Sequence, residues 1–103
     1  MNNEIAKVTL FGRLGTDPEL KYTKNSKAIC KFSVAVSINK NEVDWKNVVV
    51  WEKQAEDCQL FLKKGSQVFV RGRMKESSYE KDGRPTKYIE VVADTVGYTN
   101  LRE

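Results

Sequence analysis

The feature that most constrains this fold is a regular alternation of side chains over residues 28–38. Every second residue is apolar, and the residues between are mostly small, polar or charged. A period of two is typical of a β-strand with one face on a core and the other in solvent. The apolar side consists of Cys30, Phe32, Val34, Val36 and Ile38.

Four further segments have strand character. Residues 6–14 place Val8, Leu10 and Leu14 on one side, and Asp17-Pro18 then breaks the pattern before a possible short extension at 19–23. The segment 43–51 follows a short polar connection and is expected to pair with 28–38 as a hairpin. Two later strands are predicted at 67–76 and from Lys87 to about Tyr98.

One segment has helical rather than strand periodicity. Residues 53–64 place apolar side chains at helical spacing, Lys63 and Lys64 suit a helix C-terminus, and Gly65 follows as a left-handed cap. The apolar positions are Ala55, Cys58, Phe61 and Leu62.

The order of these elements predicts the fold class. Asp82-Gly83 indicates a tight hairpin turn, with Arg84-Pro85 expected to lengthen the loop. Three strands, a helix and two strands predict an all-β, five-stranded OB-fold Greek-key barrel with one α-helix between strands 3 and 4. The 103 residues suffice for one such domain, 1–103, and no second one.

The third strand carries both tryptophans of the chain. Val48 and Val50 share one side of it, whereas Trp45, Asn47, Val49 and Trp51 share the other. If the valines face the core, both indoles point outward, about 20 Å apart along the strand. Leaving them in water forgoes burial on the order of 2 kcal/mol each. Nucleic-acid bases could cover them, since stacking of a base on an aromatic ring supplies about 1–3 kcal/mol.

The alternative is a structural role for the aromatic side chains. A single tryptophan could equally close the end of the barrel or fill a subunit interface, but two on one side beside a basic strand favour binding. Tyr79, next to the predicted turn, is expected to stack as well. The remaining candidates are predicted to lie in the core: Tyr22, Phe32, Phe61 and Tyr88.

A basic strand supports the same interpretation. The chain has a net charge of +4, and residues 63–75 contain five basic residues and no acid. With Val68, Val70 and Met74 inward, the outward side chains are Arg71, Arg73 and Lys75. Such a row suits phosphates, which release condensed counterions when Lys or Arg neutralises them. A solvated charged face is the alternative, and it is preferred for Lys24, Lys27, Lys40 and Lys63.

Several function classes lack their signatures. The chain has no His, no phosphate-binding loop and no dinucleotide fingerprint, so we expect no enzyme, no metal and no cofactor. Cys30 and Cys58 are expected to be buried free thiols. No membrane span or signal peptide is recognisable, which predicts a cytoplasmic protein with no membrane partner.

Four sequence blocks carry a family resemblance. They are KVTLFGRLGTDPELKY at 7–22, WKNVVVW at 45–51, LKKGSQV at 62–68 and EVVAD at 90–94. In this order they resemble bacterial-type single-stranded DNA-binding proteins over nearly the whole chain. The resemblance implies an OB fold, cooperative coating of single-stranded DNA in replication, repair and recombination, and a homotetramer, with a homodimer left open.

The resemblance also implies site residues. It places the stacking aromatics at Trp45, Trp51 and Tyr79, and the basic contacts at Lys7, Lys21, Lys53, Lys64 and Lys75. Strand parity adds Arg13, Arg71 and Arg73 to the expected phosphate contacts.

The sequence departs from the family pattern in three places. The hairpin from Ile38 to Asp44 is short and lacks a further aromatic, and Ser77 and Ser78 stand where basic residues are common. The chain stops at Leu101-Arg102-Glu103 without the acidic tail that recruits other proteins, either because a tail was removed or because the form is naturally short. Partners that bind through such a tail are therefore not expected.

Two other OB proteins remain alternatives. One is a primosomal replication protein, dimeric, which mainly recruits a helicase or its loader; the tryptophan pair favours the first interpretation. The other is an OB module that binds only protein, which would bind oligo(dT) weakly and without salt dependence.

Overall fold

The computed structural model describes residues 4–98. The prediction about the chain end at Leu101-Arg102-Glu103 lies outside this range. Six strands and one helix follow in the order β1 (Glu4–Leu14), β2 (Glu19–Tyr22), β3 (Ala28–Asn39), β4 (Glu42–Trp51), α1 (Glu52–Phe61), β5 (Gln67–Lys81) and β6 (Arg84–Tyr98).

Five of these strands form a closed ring. The order β1-β5-β6-β4-β3 returns to β1 through pairing of Arg13 with Ala35 and Leu14 with Val34. Neighbours are antiparallel except β4 and β6, which run parallel from Asn47–Glu90 to Val49–Val92. The short β2 adds to the free side of β3, as the predicted extension. The five-stranded OB barrel with its helix after the third main strand is confirmed.

The barrel interior is filled by the apolar side of each strand. Val34, Val48, Val50 and Val70 are almost fully buried, and Phe32 lies among them as predicted. Cys30 and Cys58 are also buried and unpaired by any disulfide, which confirms the expectation of buried thiols. The core therefore follows the period-two pattern of the sequence.

The helix is shorter than predicted. It ends at Phe61 instead of Lys64, where the backbone N–H of Leu62 donates to the Cys58 carbonyl and the chain turns extended. Leu62 is then buried, although it is not helical. Gly65 does adopt a left-handed φ of 90°, but in the turn after the helix rather than as its cap.

The β5–β6 hairpin also differs in detail from the prediction. Asp82 and Gly83 have φ of 53° and 77°, as a tight two-residue turn between twisted strands requires. Lys81 pairs with Arg84, so β6 begins at Arg84 and not at Lys87. The expected longer loop through Pro85 is therefore wrong.

Several side chains predicted to lie in the core lie outside it. Ile38 is exposed because the β3–β4 hairpin extends past the end of the barrel. Tyr22 is exposed at the end of β2, with its hydroxyl donating to Glu56 Oε2 at 2.9 Å. Phe61 is half-exposed and stacks on Tyr98 with ring centroids 5.9 Å apart, because Leu62 takes the core position.

Candidate nucleic-acid interface

The outer side of β4 carries both indoles. Val48 and Val50 point into the barrel and are buried, so the alternate positions face outward. Trp45 is 56% exposed and Trp51 is 38% exposed. The strand thus presents two large aromatic surfaces on one face, where strand parity predicts them. Their role in stacking stays a prediction.

Val49 lies between the two indoles, on the outward side of β4 that strand parity gives it. It is nevertheless buried. Its neighbours in register are Lys31 on β3 and Val92 on β6. These side chains stand about one strand spacing away on either side and cover it. Val49 therefore forms an apolar floor between Trp45 and Trp51.

Strand register shows which side chains flank this floor. Trp51 pairs with Ile29, which pairs in turn with Lys21. Asn47 pairs with Ser33 on β3 and with Glu90 on β6.

A groove of about 660 Å³ opens on this face. Its lining comes from β3, β4, β6 and the segment 16–19 that follows β1, and it includes the buried side chain of Val49. Polar and charged side chains line it: Asp17, Glu19, Lys31, Ser33, Asn47 and Glu90. A groove of this size beside an exposed indole is large enough for a nucleobase.

The third predicted stacking residue lies on the β5–β6 hairpin. Tyr79 is half-exposed, and its ring meets the edge of Tyr88 with centroids 5.5 Å apart. Tyr88 is half-buried rather than a core residue, because the register of Ser77 with Tyr88 puts it on the outer side of the hairpin. Glu90 and Asn47 are register partners on the parallel strands β6 and β4. Tyr88 precedes Glu90 by two residues, and Trp45 precedes Asn47 by two residues. Tyr88 therefore belongs to the same outer face.

Three of the predicted basic side chains form hydrogen bonds within the chain. Arg73 Nη2 lies 3.2 Å from Asp94 Oδ1, and the guanidinium is partly buried. Lys53 Nζ lies 2.8 Å from Asp57 Oδ1, and this hydrogen bond raises the pKa of Lys53. Arg13 Nη1 donates to the Gly65 carbonyl at 3.1 Å.

Two other predicted contacts lie beside carboxylates. Lys21 Nζ lies 3.8 Å from Glu19 Oε2. The backbone N–H of Lys64 donates to Asp17 Oδ1 at 2.7 Å. The exposed side chain of Lys64 takes no part in this hydrogen bond.

The predicted basic residues do not form one cluster. Lys21 lies near Trp51, and Lys75 reaches the same face through its register with Glu90. Lys7 and Arg71 instead line a second groove of about 450 Å³ on the β1–β5–β6 face, with Thr9 and Asp94. Register puts Arg73 two strands from Val49, between these two regions. The basic strand and the tryptophan strand are therefore separated by β6.

One basic residue of this face was missed by the sequence prediction. Lys31 is exposed, lines the groove and is the register partner of Val49. Its position on the polar side of residues 28–38 is the signal that could have identified it. Pairing of that strand with the tryptophan strand then places Lys31 between the two indoles.

The described residues contain neither a metal-binding cluster nor a membrane-spanning helix. Within residues 4–98, no group of three or more His, Cys, Asp or Glu side chains is arranged to hold a metal ion. Over the same residues, no helix has the length and hydrophobicity to cross a membrane.

One known protein family matches nearly the whole chain. Residues 5–99 match the model of the single-strand binding protein family. The chain belongs to this family. The match covers all the strands of the barrel and both faces described above.

Several curated relatives are similar over most of the chain. A single-stranded DNA-binding protein of Halalkalibacterium halodurans is 42% identical, with 93% of this chain and 61% of that protein aligned. A single-stranded DNA-binding protein 2 of Listeria monocytogenes is 43% identical over 89% of this chain and 62% of its own length. One from Neisseria meningitidis is 39% identical over 85% and 56%. The chain thus spans about three fifths of the length of these relatives.

Proposed function

We propose that this chain binds single-stranded DNA through the outer face of β4, with little dependence on base sequence. Bases stack on Trp45, Trp51 and Tyr79, while Lys21, Lys31 and Lys75 neutralise phosphates beside them. The observation that carries the proposal is that both indoles are exposed on one face of β4. The chain also belongs to a family whose named relatives are single-stranded DNA-binding proteins.

The energetics favour a ligand that presents flat, apolar surfaces. Because Trp45 is 56% exposed and Trp51 38%, each indole forgoes burial worth about 1 kcal/mol. A stacked base restores about 1–3 kcal/mol and needs no particular sequence, because every base has two π-faces. Duplex DNA keeps its bases stacked on one another, so single strands are the preferred form.

The cellular role follows from this binding. A protein that coats exposed single strands acts wherever the duplex is opened, in replication, repair and recombination. We place it in the cytoplasm, with the DNA that it coats. Lys7, Arg13, Lys53, Lys64, Arg71 and Arg73 then contact phosphates only where the strand continues around the barrel.

Assembly into a homotetramer is part of the proposal and has its own support. β1 bonds to β5 along one edge, but among residues 4–98 it pairs with β3 only at Arg13 and Leu14. An open strand edge is a template for a second copy. Phe11 is 67% exposed on the outer side of this strand, 5.1 Å from the ring of Phe69. Contact between two dimers would bury these aromatics in a homotetramer. In a homodimer that pairs through the edge of β1 they would stay exposed.

Binding to labelled oligo(dT), followed by fluorescence anisotropy with a duplex of equal length as the competitor, tests the function. We expect preference for the single strand and a loss of about 1–3 kcal/mol for each of Trp45→Ala and Trp51→Ala. Phe61→Ala, which removes an exposed ring elsewhere, is the matched control. Unchanged affinity in the double tryptophan variant would remove the stacking mechanism.

A further inference from the structure

A row of polar side chains crosses the floor of the groove between the indoles. Ser33, Asn47 and Glu90 are consecutive register partners on β3, β4 and β6. Because adjacent strands lie about 4.8 Å apart, the three side chains form one line across the outer face. Asn47 is two residues from Trp45 and four from Trp51 on the same side of β4. A strand that stacks on both indoles must pass this row.

The charge of the groove selects bases over phosphates. Of the residues that line it, Asp17, Glu19 and Glu90 are acidic and Lys31 is basic, while Lys75 on β5 lies next to Glu90 in register. Carboxylates repel a phosphate, whereas they accept hydrogen bonds from base N–H groups. A nucleotide here therefore turns its base inward and keeps its phosphate toward Lys31 at the side of the groove.

Glu90 lies in the groove and has a carboxylate oxygen available to accept a hydrogen bond from a base. Its carboxylate is half-buried, and the Ser77 hydroxyl donates to Oε1 at 3.4 Å. At this distance the bond is weak, so both carboxylate oxygens remain available as acceptors. An ionised carboxylate only accepts, so it pairs with the N4 amino group of cytosine and is repelled by the O4 carbonyl of uracil or thymine.

We propose that the row Ser33–Asn47–Glu90 gives this chain a preference for cytosine over uracil or thymine at the groove. The inference rests on the proposed single-stranded DNA binding and adds a base preference to it. Glu90 accepts from the amino group, and the Asn47 amide, which both donates and accepts, completes the contact with the pyrimidine edge.

The test compares oligo(dC) with oligo(dU) of equal length, at slightly alkaline pH where cytosine is unprotonated. Cytosine carries an amino group at the ring position where uracil carries a carbonyl group, and neither base has a methyl group. One net hydrogen bond corresponds to oligo(dC) binding about threefold to tenfold more tightly. This comparison uses the unmodified chain, so it does not depend on whether a variant folds.

A variant then assigns the preference to Glu90. Glu90→Gln keeps the shape but adds an amide that donates to O4, so the ratio of the two affinities should fall to about one. Glu76→Gln removes the same charge from an exposed position that pairs with Ile89, on the other side of the hairpin, and should keep the ratio. Loss of the preference in both variants would overturn the role of Glu90.

The outcomes separate this inference from the proposed function. Tight and equal binding of oligo(dC) and oligo(dU) by the unmodified chain overturns the base preference and leaves single-stranded DNA binding intact. Failure to bind any single strand overturns both. A cytosine preference that only Glu90→Gln abolishes supports the proposal.

Discussion

The indole of Trp45 lies directly against the backbone of Gly15. A Cβ atom added at Gly15 would come within 2.7 Å of Trp45 Cη2 and 3.0 Å of Ser33 Oγ. The N–H of Gly15 donates to the Ser33 carbonyl at 2.9 Å, which fixes the chain at this point. The segment after β1 therefore holds one side of the ring and leaves the other for a ligand.

Gly15→Ala is expected to displace the Trp45 ring. The crowded atoms are the far end of a half-exposed ring that can move, so the loss of unfolding free energy should be small, about 0.5–1 kcal/mol. The displaced indole should bind oligo(dT) more weakly. Chemical denaturation and anisotropy titration measure the two effects. In a Trp45→Ala background, the ring is absent and Gly15→Ala should cost much less, so the double-mutant cycle shows coupling. Additive effects would contradict the contact.

Lys31 and Arg73 should differ in their contribution to the salt dependence of binding. Lys31 is exposed between the indoles, so Lys31→Gln is expected to reduce the slope of log affinity against log salt by about one unit. Arg73 is paired with Asp94, and its replacement by Gln should change the slope less. Titrations at several salt concentrations measure both slopes. A larger change for Arg73 would move the DNA path to the β5 strand.

Glu52 adopts a backbone conformation that costs stability. It follows Trp51 with a φ of 62°, in the left-handed region that favours glycine. Glu52→Gly should raise the unfolding free energy by about 0.5–1 kcal/mol, after the added chain entropy of glycine is subtracted. Glu52→Ala removes the same carboxylate but keeps the strain, so it should give no gain. Equal effects of both variants in urea denaturation would contradict the assignment.

The buried thiols make stability depend on alkaline pH. Burial raises the pKa of Cys30 from 9.0 to about 11 and that of Cys58 from 9.0 to about 12. Because the folded pKa values lie above the unfolded ones, their contribution is complete below pH 9 and is lost as pH rises toward 11–12. Cys58→Ala should be less stable at neutral pH, but its stability should fall less steeply above pH 9. Parallel pH profiles for the two proteins would contradict this.

Much of the barrel follows from period-two patterns alone. The inward valines of β3 and β4 and both outward tryptophans lie where alternation places them. Side-chain periodicity reports the two faces of a strand, but not where the barrel beneath that strand ends. Ile38 continues the pattern into the projecting hairpin and is therefore exposed.

Register between strands is the information that the sequence pattern lacks. Val49 is buried by Lys31 and Val92 from neighbouring strands, which alternation within β4 cannot reveal. For the same reason, the basic side chains of β5 were expected beside the tryptophans, although β6 separates them. Alternation and the family resemblance both placed the aromatics, but neither predicted the groove between the tryptophans.

Tryptophan emission during titration with oligo(dT) tests the central claim most directly. Trp51→Phe leaves Trp45 as the only indole of the chain, and Trp45→Phe leaves Trp51. With DNA binding followed independently by anisotropy, we expect emission to be quenched in both variants as bases stack on each ring. Saturated binding with unchanged emission from both indoles would contradict the proposal that the outer face of β4 binds the bases.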